Sequence, residues 1–188
     1  MVGLVGLQGA GKTEVAKVAL SLGIPCLRMG EVVIAETRKL GLEVNEENVG
    51  KVASRLREEG GRGVVARMCL PLIRERVRER GVVVVDGIRS VEEVEEFRRA
   101  FGKDLVVVGV WSSPSLRYSR VCSRRREDDA GDYERFLQKE RRELEWGAGN
   151  ALALADRLLV NEGTLEELKG KAEELFRGLL RDEGLGGG

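Results

Sequence analysis

Residues Gly6-Leu7-Gln8-Gly9-Ala10-Gly11-Lys12-Thr13 set a lysine and a hydroxyl directly behind three glycines near the amino terminus. Glycines let a backbone curl around a polyphosphate with several N–H groups pointing inward, and a helix starting there adds partial positive charge. In that setting Lys12 would reach the β- and γ-phosphates, and the Thr13 hydroxyl would bind Mg²⁺. The flanks agree. Met1 to Val5 is apolar, as a short buried strand should be, and Val15, Ala16, Ala19, Leu20 and Leu22 recur at helical spacing. Strand, loop and helix together give the run its mechanism. The expectation is a nucleoside triphosphate held by Gly6, Gln8, Gly9, Ala10, Gly11, Lys12 and Thr13.

A second carboxylate is required by such chemistry, and Asp86 ends the apolar run Val82-Val83-Val84-Val85. At the carboxyl edge of a central strand it would hold Mg²⁺ through water or orient an acceptor hydroxyl. Gly87 leaves room for a ligand. Arg89 then points into the same crevice, where a guanidinium can grip a second substrate's phosphate as a fork. Ser90 is the expected cap of the helix at 91–101. Arg117, Arg120 and Arg124 lie three and four residues apart and share one helical face. Closing over transferring phosphates, they would stabilise the charge that spreads in the transition state, with Arg124 assigned a catalytic part. Asp128 and Asp129 are expected to hold these arginines in place, and Trp146-Gly147 with the apolar stretch to Ala155 is expected to pack rather than bind. The turn Asn161-Glu162-Gly163 suits left-handed backbone, and its peptide groups could read a purine edge.

The elements that must position these groups follow from the hydrophobic pattern. Apolar, β-branched runs at 1–6, 24–28, 81–86, 104–111 and 156–160 alternate with helical patterns, which predicts a five-stranded parallel sheet covered on both faces. The connection 29–80 is too long for one crossover helix and reads as helices at about 30–42, 45–60 and 62–80 inserted over the sheet edge. Residues 112–154 form a second, very polar excursion. A terminal helix at about 164–181 begins at Thr164 with Glu167 three residues on, a capping box.

Charged residues make up 34% of the 188 and sum to zero. No global field then favours nucleic acid or an anionic membrane, and four Phe, two Tyr and two Trp offer little for stacking bases. There is no histidine, so a zinc site or a His-dependent triad is excluded. Cys26, Cys69 and Cys122 lack metal-type spacing and read as reduced thiols of a cytoplasmic protein. No apolar run reaches transmembrane length, and the first strand is expected to leave no room for a signal peptide.

With these segments in view the chain resembles the nucleoside-monophosphate-kinase group of P-loop proteins. Within that group it is similar to the archaeal kinase-like family often labelled dephospho-CoA kinase-related. The likeness spans nearly the whole chain. It rests on Gly6 to Thr13, Met29-Gly30-Glu31, Asn48-Val49-Gly50-Lys51, Leu56-Arg57-Glu58-Glu59, Asp86-Gly87-Ile88-Arg89-Ser90, Trp146-Gly147, and Ala155-Asp156 through Asn161-Glu162-Gly163.

The resemblance implies a single α/β domain over 1–188 with a three-layer P-loop NTPase fold. Its core would be 1–28, 81–111 and 155–182, with a helical acceptor-binding insertion at 29–80 and an Arg-rich lid at 112–154. It implies ATP and Mg²⁺ at the loop, with Thr13 and Asp86 on the metal. Arg89 would bind acceptor phosphate, Arg120 and Arg124 would grip adenine and phosphates, and Asn161 and Gly163 would line the adenine. One position departs from the pattern: Ile34 stands where many relatives carry an arginine, so an acceptor-phosphate contact is either missing or moved to Arg38 or Arg57. Met29-Gly30-Glu31 is also a poor copy of the Asp-rich segment of bacterial dephospho-CoA kinases. The function so implied is phosphoryl transfer from ATP to a small nucleotide-like acceptor, either dephospho-CoA or a nucleoside monophosphate. The alternative is a nucleotide-binding ATPase or regulatory switch without a small acceptor.

Overall fold

A computed structural model describes residues 1–123 and 133–182. Five strands form one parallel sheet in the order β2-β3-β1-β4-β5, with β1 at Val2–Val5, β2 at Cys26–Arg28, β3 at Val84–Ile88, β4 at Val106–Trp111 and β5 at Arg157–Val160. From the central β1 the chain builds outward in both directions. The strand order therefore reverses beside β1, and ligands of open α/β sheets bind at the carboxyl edge of such a reversal.

Strict alternation sorts the apolar side chains into two cores. Val2, Leu4, Val84 and Val108 meet α1 (Lys12–Ser21) and α9 (Leu165–Asp182) on one face. On the other, Val5, Val83, Val85 and Val107 meet α2 (Met29–Lys39), α3 (Glu46–Gly60), α4 (Val64–Arg80), α5 (Val91–Phe101) and α8 (Ala148–Ala153). A strand buried on both faces favours apolar residues at successive positions, which is why the chain entering β3 (Val82 to Val85) and the start of β4 (Val106 to Val108) read as valine runs. The excursion after β4 supplies α6 (Pro114–Ser123) and α7 (Tyr133–Trp146). No helix among the described residues is long and apolar enough to cross a membrane.

One strand sits later than its sequence suggests. Gly81 takes φ +76° and ends α4, so the extended run begins at Val84 and continues through Ile88. A register shift after Leu4 pairs Val5 with Ile88, whose side chain is fully buried. Asp86 thus lies within the strand, paired with Leu4 and Arg28, rather than at its last residue.

The predicted caps are present. Ser90 Oγ accepts from the Glu93 N–H at 3.1 Å, and Thr164 Oγ1 accepts from the Glu167 N–H at 3.2 Å. Each satisfies an amide that the first helical turn leaves unpaired.

Candidate active site

The loop from Gly6 to Thr13 joins β1 to α1 at the carboxyl edge. Gly9 and Gly11 adopt φ +76° and +110°, a left-handed backbone that glycine enters without strain. Both also lack room for a side chain: a Cβ on Gly9 would strike the Arg117 carbonyl, and one on Gly11 would strike the Asn161 amide. No side chain caps the start of α1, and such an end presents amides and partial positive charge to an anion. Thr13 sits half-buried on the first turn.

Lys12 folds back on its own loop, donating to the carbonyls of Gly6 at 2.5 Å and Leu7 at 3.2 Å. Burial pulls its ammonium below the ordinary range, against the opposing fields of Asp86 and Glu143. Asp86 Oδ1 is buried and has no hydrogen-bond partner among the described residues. A buried carboxylate oxygen left unpartnered is costly. It suits a site completed by a metal ion, its water or an acceptor hydroxyl, and the Thr13 hydroxyl and Asp86 carboxylate are oxygen donors of the kind Mg²⁺ takes.

Arg89 follows on the β3–α5 connection. Its backbone N–H donates to Glu93 Oε2 at 2.7 Å, and its Nε donates to Glu143 Oε1 at 3.3 Å. Glu93 is fully buried and accepts Arg57 Nη2 at 2.8 Å on its other oxygen. Three guanidiniums gather around the indole of Trp146: Arg57 at 4.4 Å from the ring centroid, Arg142 at 5.5 Å and Arg89 at 5.8 Å. Cations over an indole face are attracted by its quadrupole.

Beside this group opens a cavity of about 540 Å³, lined by Arg57, Arg62, Arg141 and Arg142 among others. Arg57 Nε and Arg142 Nε are buried without a hydrogen-bond partner among the described residues. Trp146 packs against the core, as expected of it, and also lines this cavity. Gly50 lies against Arg142, because a Cβ there would run into its guanidinium.

Two of the three arginines expected of the lid lie among the described residues, on different partners. Arg117 is buried on α6 and forms a two-point pair with Glu140 on α7 at 2.7 and 2.9 Å. Arg120 donates to the carbonyl and side-chain oxygens of Asn161 at 3.1 and 3.2 Å and reaches the Gly163 carbonyl at 3.5 Å. Asn161 in turn donates to the Ala10 carbonyl at 2.8 Å. Arg120, Asn161 and Gly163 thus meet behind the phosphate-binding loop. Gln8 Nε2 ties that loop to α7 through the Phe136 carbonyl at 2.7 Å.

Arg124, Asp128 and Asp129 lie outside the described residues. Arg38 is exposed on the last turn of α2, a helix that starts at the carboxyl edge and runs away from it. The side chains here that the sequence did not single out are Glu93, Glu143 and Arg142.

Among solved structures the chain is similar to a shikimate kinase from Acinetobacter baumannii in complex with shikimate, with TM-score 0.57, 19% identity, and 96% and 93% of the two chains covered. It is also similar to a gluconokinase from Sinorhizobium meliloti, with TM-score 0.57, 18% identity, and 96% and 91% covered. At these identities the likeness is one of fold, and with the loop it defines the class: a P-loop kinase fold.

The sequence places the chain more narrowly. It is 40% identical to a UPF0200 protein of Thermococcus onnurineus over 180 residues, covering 95% of this chain and 97% of that one. A UPF0200/UPF0201 protein of Archaeoglobus fulgidus is 41% identical over 182 residues, which is 97% of this chain but 56% of that longer relative. The model of a family described as "AAA domain" matches residues 5–137. The chain belongs to this AAA-domain family, together with the UPF0200 proteins.

Proposed function

We propose that this protein is a small-molecule kinase that moves the γ-phosphoryl group of ATP to a nucleotide-like acceptor, dephospho-CoA or a nucleoside monophosphate. The observation that carries the proposal is the unpartnered Asp86 Oδ1. It stands one strand from a glycine-rich loop whose lysine it faces electrostatically, and a cavity of about 540 Å³ opens by the Arg57, Arg142 and Trp146 group. Pockets of a few hundred cubic ångströms hold ligands of nucleotide size. The kinase fold shared with a shikimate kinase and a gluconokinase, both small-molecule kinases by name, supports the same class of reaction.

In this reading the loop amides and Lys12 cradle the polyphosphate, and Lys12 leaves the Gly6 carbonyl to meet the charge that develops on the transferring group. The acceptor oxygen attacks the γ-phosphorus in line. A new O–P bond forms as the bond to the bridging β–γ oxygen breaks, ADP leaves, and Asp86 takes the proton of a hydroxyl acceptor. Mg²⁺, held by Thr13 and Asp86, would supply further charge neutralisation. Arg89 and Arg57 bind the acceptor's anionic body. Arg120 and Gly163 lie on the nucleotide side, Asn161 holds the loop beneath it, and Arg124 is the remaining lid cation. Arg38 has no part, being exposed on the last turn of α2.

The test is ATP consumption by the full chain with and without dephospho-CoA, AMP, CMP and deoxynucleoside monophosphates. One phosphorylated acceptor per ADP supports the kinase. Steady hydrolysis that no acceptor alters would establish an ATPase or switch instead.

A further inference from the structure

We propose that Glu143 holds the place of the acceptor's anionic group, so that an acceptor engages only by bringing a phosphate-like dianion that takes Arg89 from this carboxylate. The inference rests on the kinase reading for the word acceptor; the displacement it describes is a property of the site alone.

Two glutamates of helix α7, Glu140 and Glu143, are paired very differently. Glu140 makes a two-point contact with Arg117 at 2.7 and 2.9 Å. Parallel bonds of that kind are the strong form of a guanidinium–carboxylate pair. Together with the Gln8–Phe136 contact it fastens the first half of α7 to the loop. Glu143, one turn further on, is only 4% exposed yet meets Arg89 through a single long contact of 3.3 Å.

A buried carboxylate held by one weak bond is poorly compensated for its lost hydration. It is retained here by the surrounding positive field. Burial pushes the Glu143 carboxyl up, but Arg89, Lys12 and Lys139 outweigh that and hold it below the usual carboxylate range. The charge is therefore present, bonded to Arg89 and within the field of the loop lysine. That is where a second substrate's anion belongs if it is to lie beside a transferring phosphoryl group.

The cavity next to it is short of negative charge. Arg57, Arg62, Arg141 and Arg142 line it against Glu58 and Glu145. Two of those guanidiniums have a buried, unpartnered Nε. A phosphate carries about two negative charges near neutral pH and offers three equivalent oxygens. It can satisfy Arg89 by two points and reach a neighbouring guanidinium, whereas Glu143 satisfies Arg89 by one. A neutral polyol offers nothing that displaces the glutamate. On this view Glu143 is a specificity-determining residue: it excludes uncharged acceptors and keeps Arg89 and Lys12 from facing an empty site.

The test is titration of inorganic phosphate at about pH 7.5 into the full chain already saturated with Mg²⁺ and a non-hydrolysable ATP analogue, so that the loop cannot take the phosphate. Glu143→Gln is expected to bind phosphate at least about 10-fold tighter than the wild type. Glu143→Asp, which keeps the charge but withdraws it by one methylene, is expected to fall between them. The gain in Glu143→Gln should vanish when Arg89→Ala is added. Acetate should show a much smaller gain than phosphate; equal gains would overturn the requirement for a dianion. Phosphate affinities of Glu143→Gln and Glu143→Asp at or below the wild-type value overturn the inference. A lowered melting temperature with unaltered phosphate affinity would mark Glu143 as structural and overturn it likewise. Failure of the ATP analogue to bind the wild type would instead strike the kinase reading, so the two failures are separable.

Discussion

Asn161 Nδ2 donates to the Ala10 carbonyl at 2.8 Å, binding the turn after β5 to the back of the phosphate-binding loop. The side chain is 5% exposed, its Oδ1 accepts from Arg120, and its backbone N–H donates to the Trp111 carbonyl at 2.8 Å. It also fills the space that a side chain on Gly11 would need. What Asn161 gives a nucleotide therefore passes through the shape of the loop. Asn161→Ala should cost about 1–3 kcal/mol of stability, because a buried carbonyl loses its donor, and should weaken ATP binding about 10-fold. Denaturant unfolding and calorimetric titration with Mg-ATP check the two effects. Full ATP affinity in a destabilised variant would limit Asn161 to stability.

Lys12 and Asp86 are expected to act on the chemical step. Lys12→Ala and Asp86→Asn should each lower turnover by at least about 10²-fold, on the scale of groups that stabilise developing charge. Lys12 has its burial opposed by Asp86, so removing that carboxylate should also depress the ammonium further. Single-turnover rates at saturating ATP and acceptor isolate the step. A rate in either variant within a few-fold of the wild type would remove that residue from it.

The difference between what the sequence disclosed and what it concealed is visible along two helices. The start of α1 was legible because a backbone that must curl around phosphate tolerates few residue types at Gly9 and Gly11. The strands were legible because a sheet buried on both faces excludes polar residues. Helix α7 was not. Its run Tyr133-Glu134-Arg135-Phe136-Leu137-Gln138-Lys139-Glu140-Arg141-Arg142-Glu143-Leu144-Glu145-Trp146 has charges on every side. Nothing in that pattern separates Glu143, 4% exposed, from its half-exposed or exposed neighbours. Glu93 was hidden for the same reason, as the N3 residue of α5 it looks like a routine acid in a first turn. Side chains that are charged and buried owe their environment to partners distant in sequence, here Arg57 to Glu93 and Arg89 to Glu143.

The Arg57–Glu93 pair joins the inserted helices to β3 and α5, with both side chains almost fully buried at 5% and 0% exposure. Removing one partner of such a pair leaves an uncompensated charge, while replacing both by apolar groups of similar size is far less harmful. Arg57→Ala should therefore destabilise the protein by about 3–5 kcal/mol. The double variant Arg57→Met, Glu93→Leu should regain most of that. Acceptor binding should not recover with it, since the cavity has lost a guanidinium; a KM for acceptor raised at least about 10-fold in the refolded double variant is expected. Recovery of both stability and KM would confine Arg57 to the core.

Asp156 provides a test by acid. Its Oδ2 accepts from the Val107 N–H at 2.7 Å and its Oδ1 from Arg98 at 2.8 Å, so it ties the start of β5 to β4 and α5. Partial burial pushes this carboxyl up, but the Val107 and Arg98 bonds prevail and hold it below the usual carboxylate range. Below that range the folded protein keeps the group ionised while the unfolded chain has already taken a proton. The unfolded state then binds more protons, and stability falls as the pH falls. The contribution is fully present above the ordinary carboxylate range and is lost as the pH drops through the depressed value. Asp156→Asn keeps one acceptor for Val107 but has no charge to lose. It should be less stable than the wild type at neutral pH by about 1 kcal/mol, a modest figure because the Arg98 pair is exposed to solvent and screened. The gap between the two proteins should narrow steadily as acid is added. Urea unfolding at a series of pH values from about 7 to 3 measures it, and a gap that stays constant across the series would mean that Asp156 is not the titrating tie between the two strands.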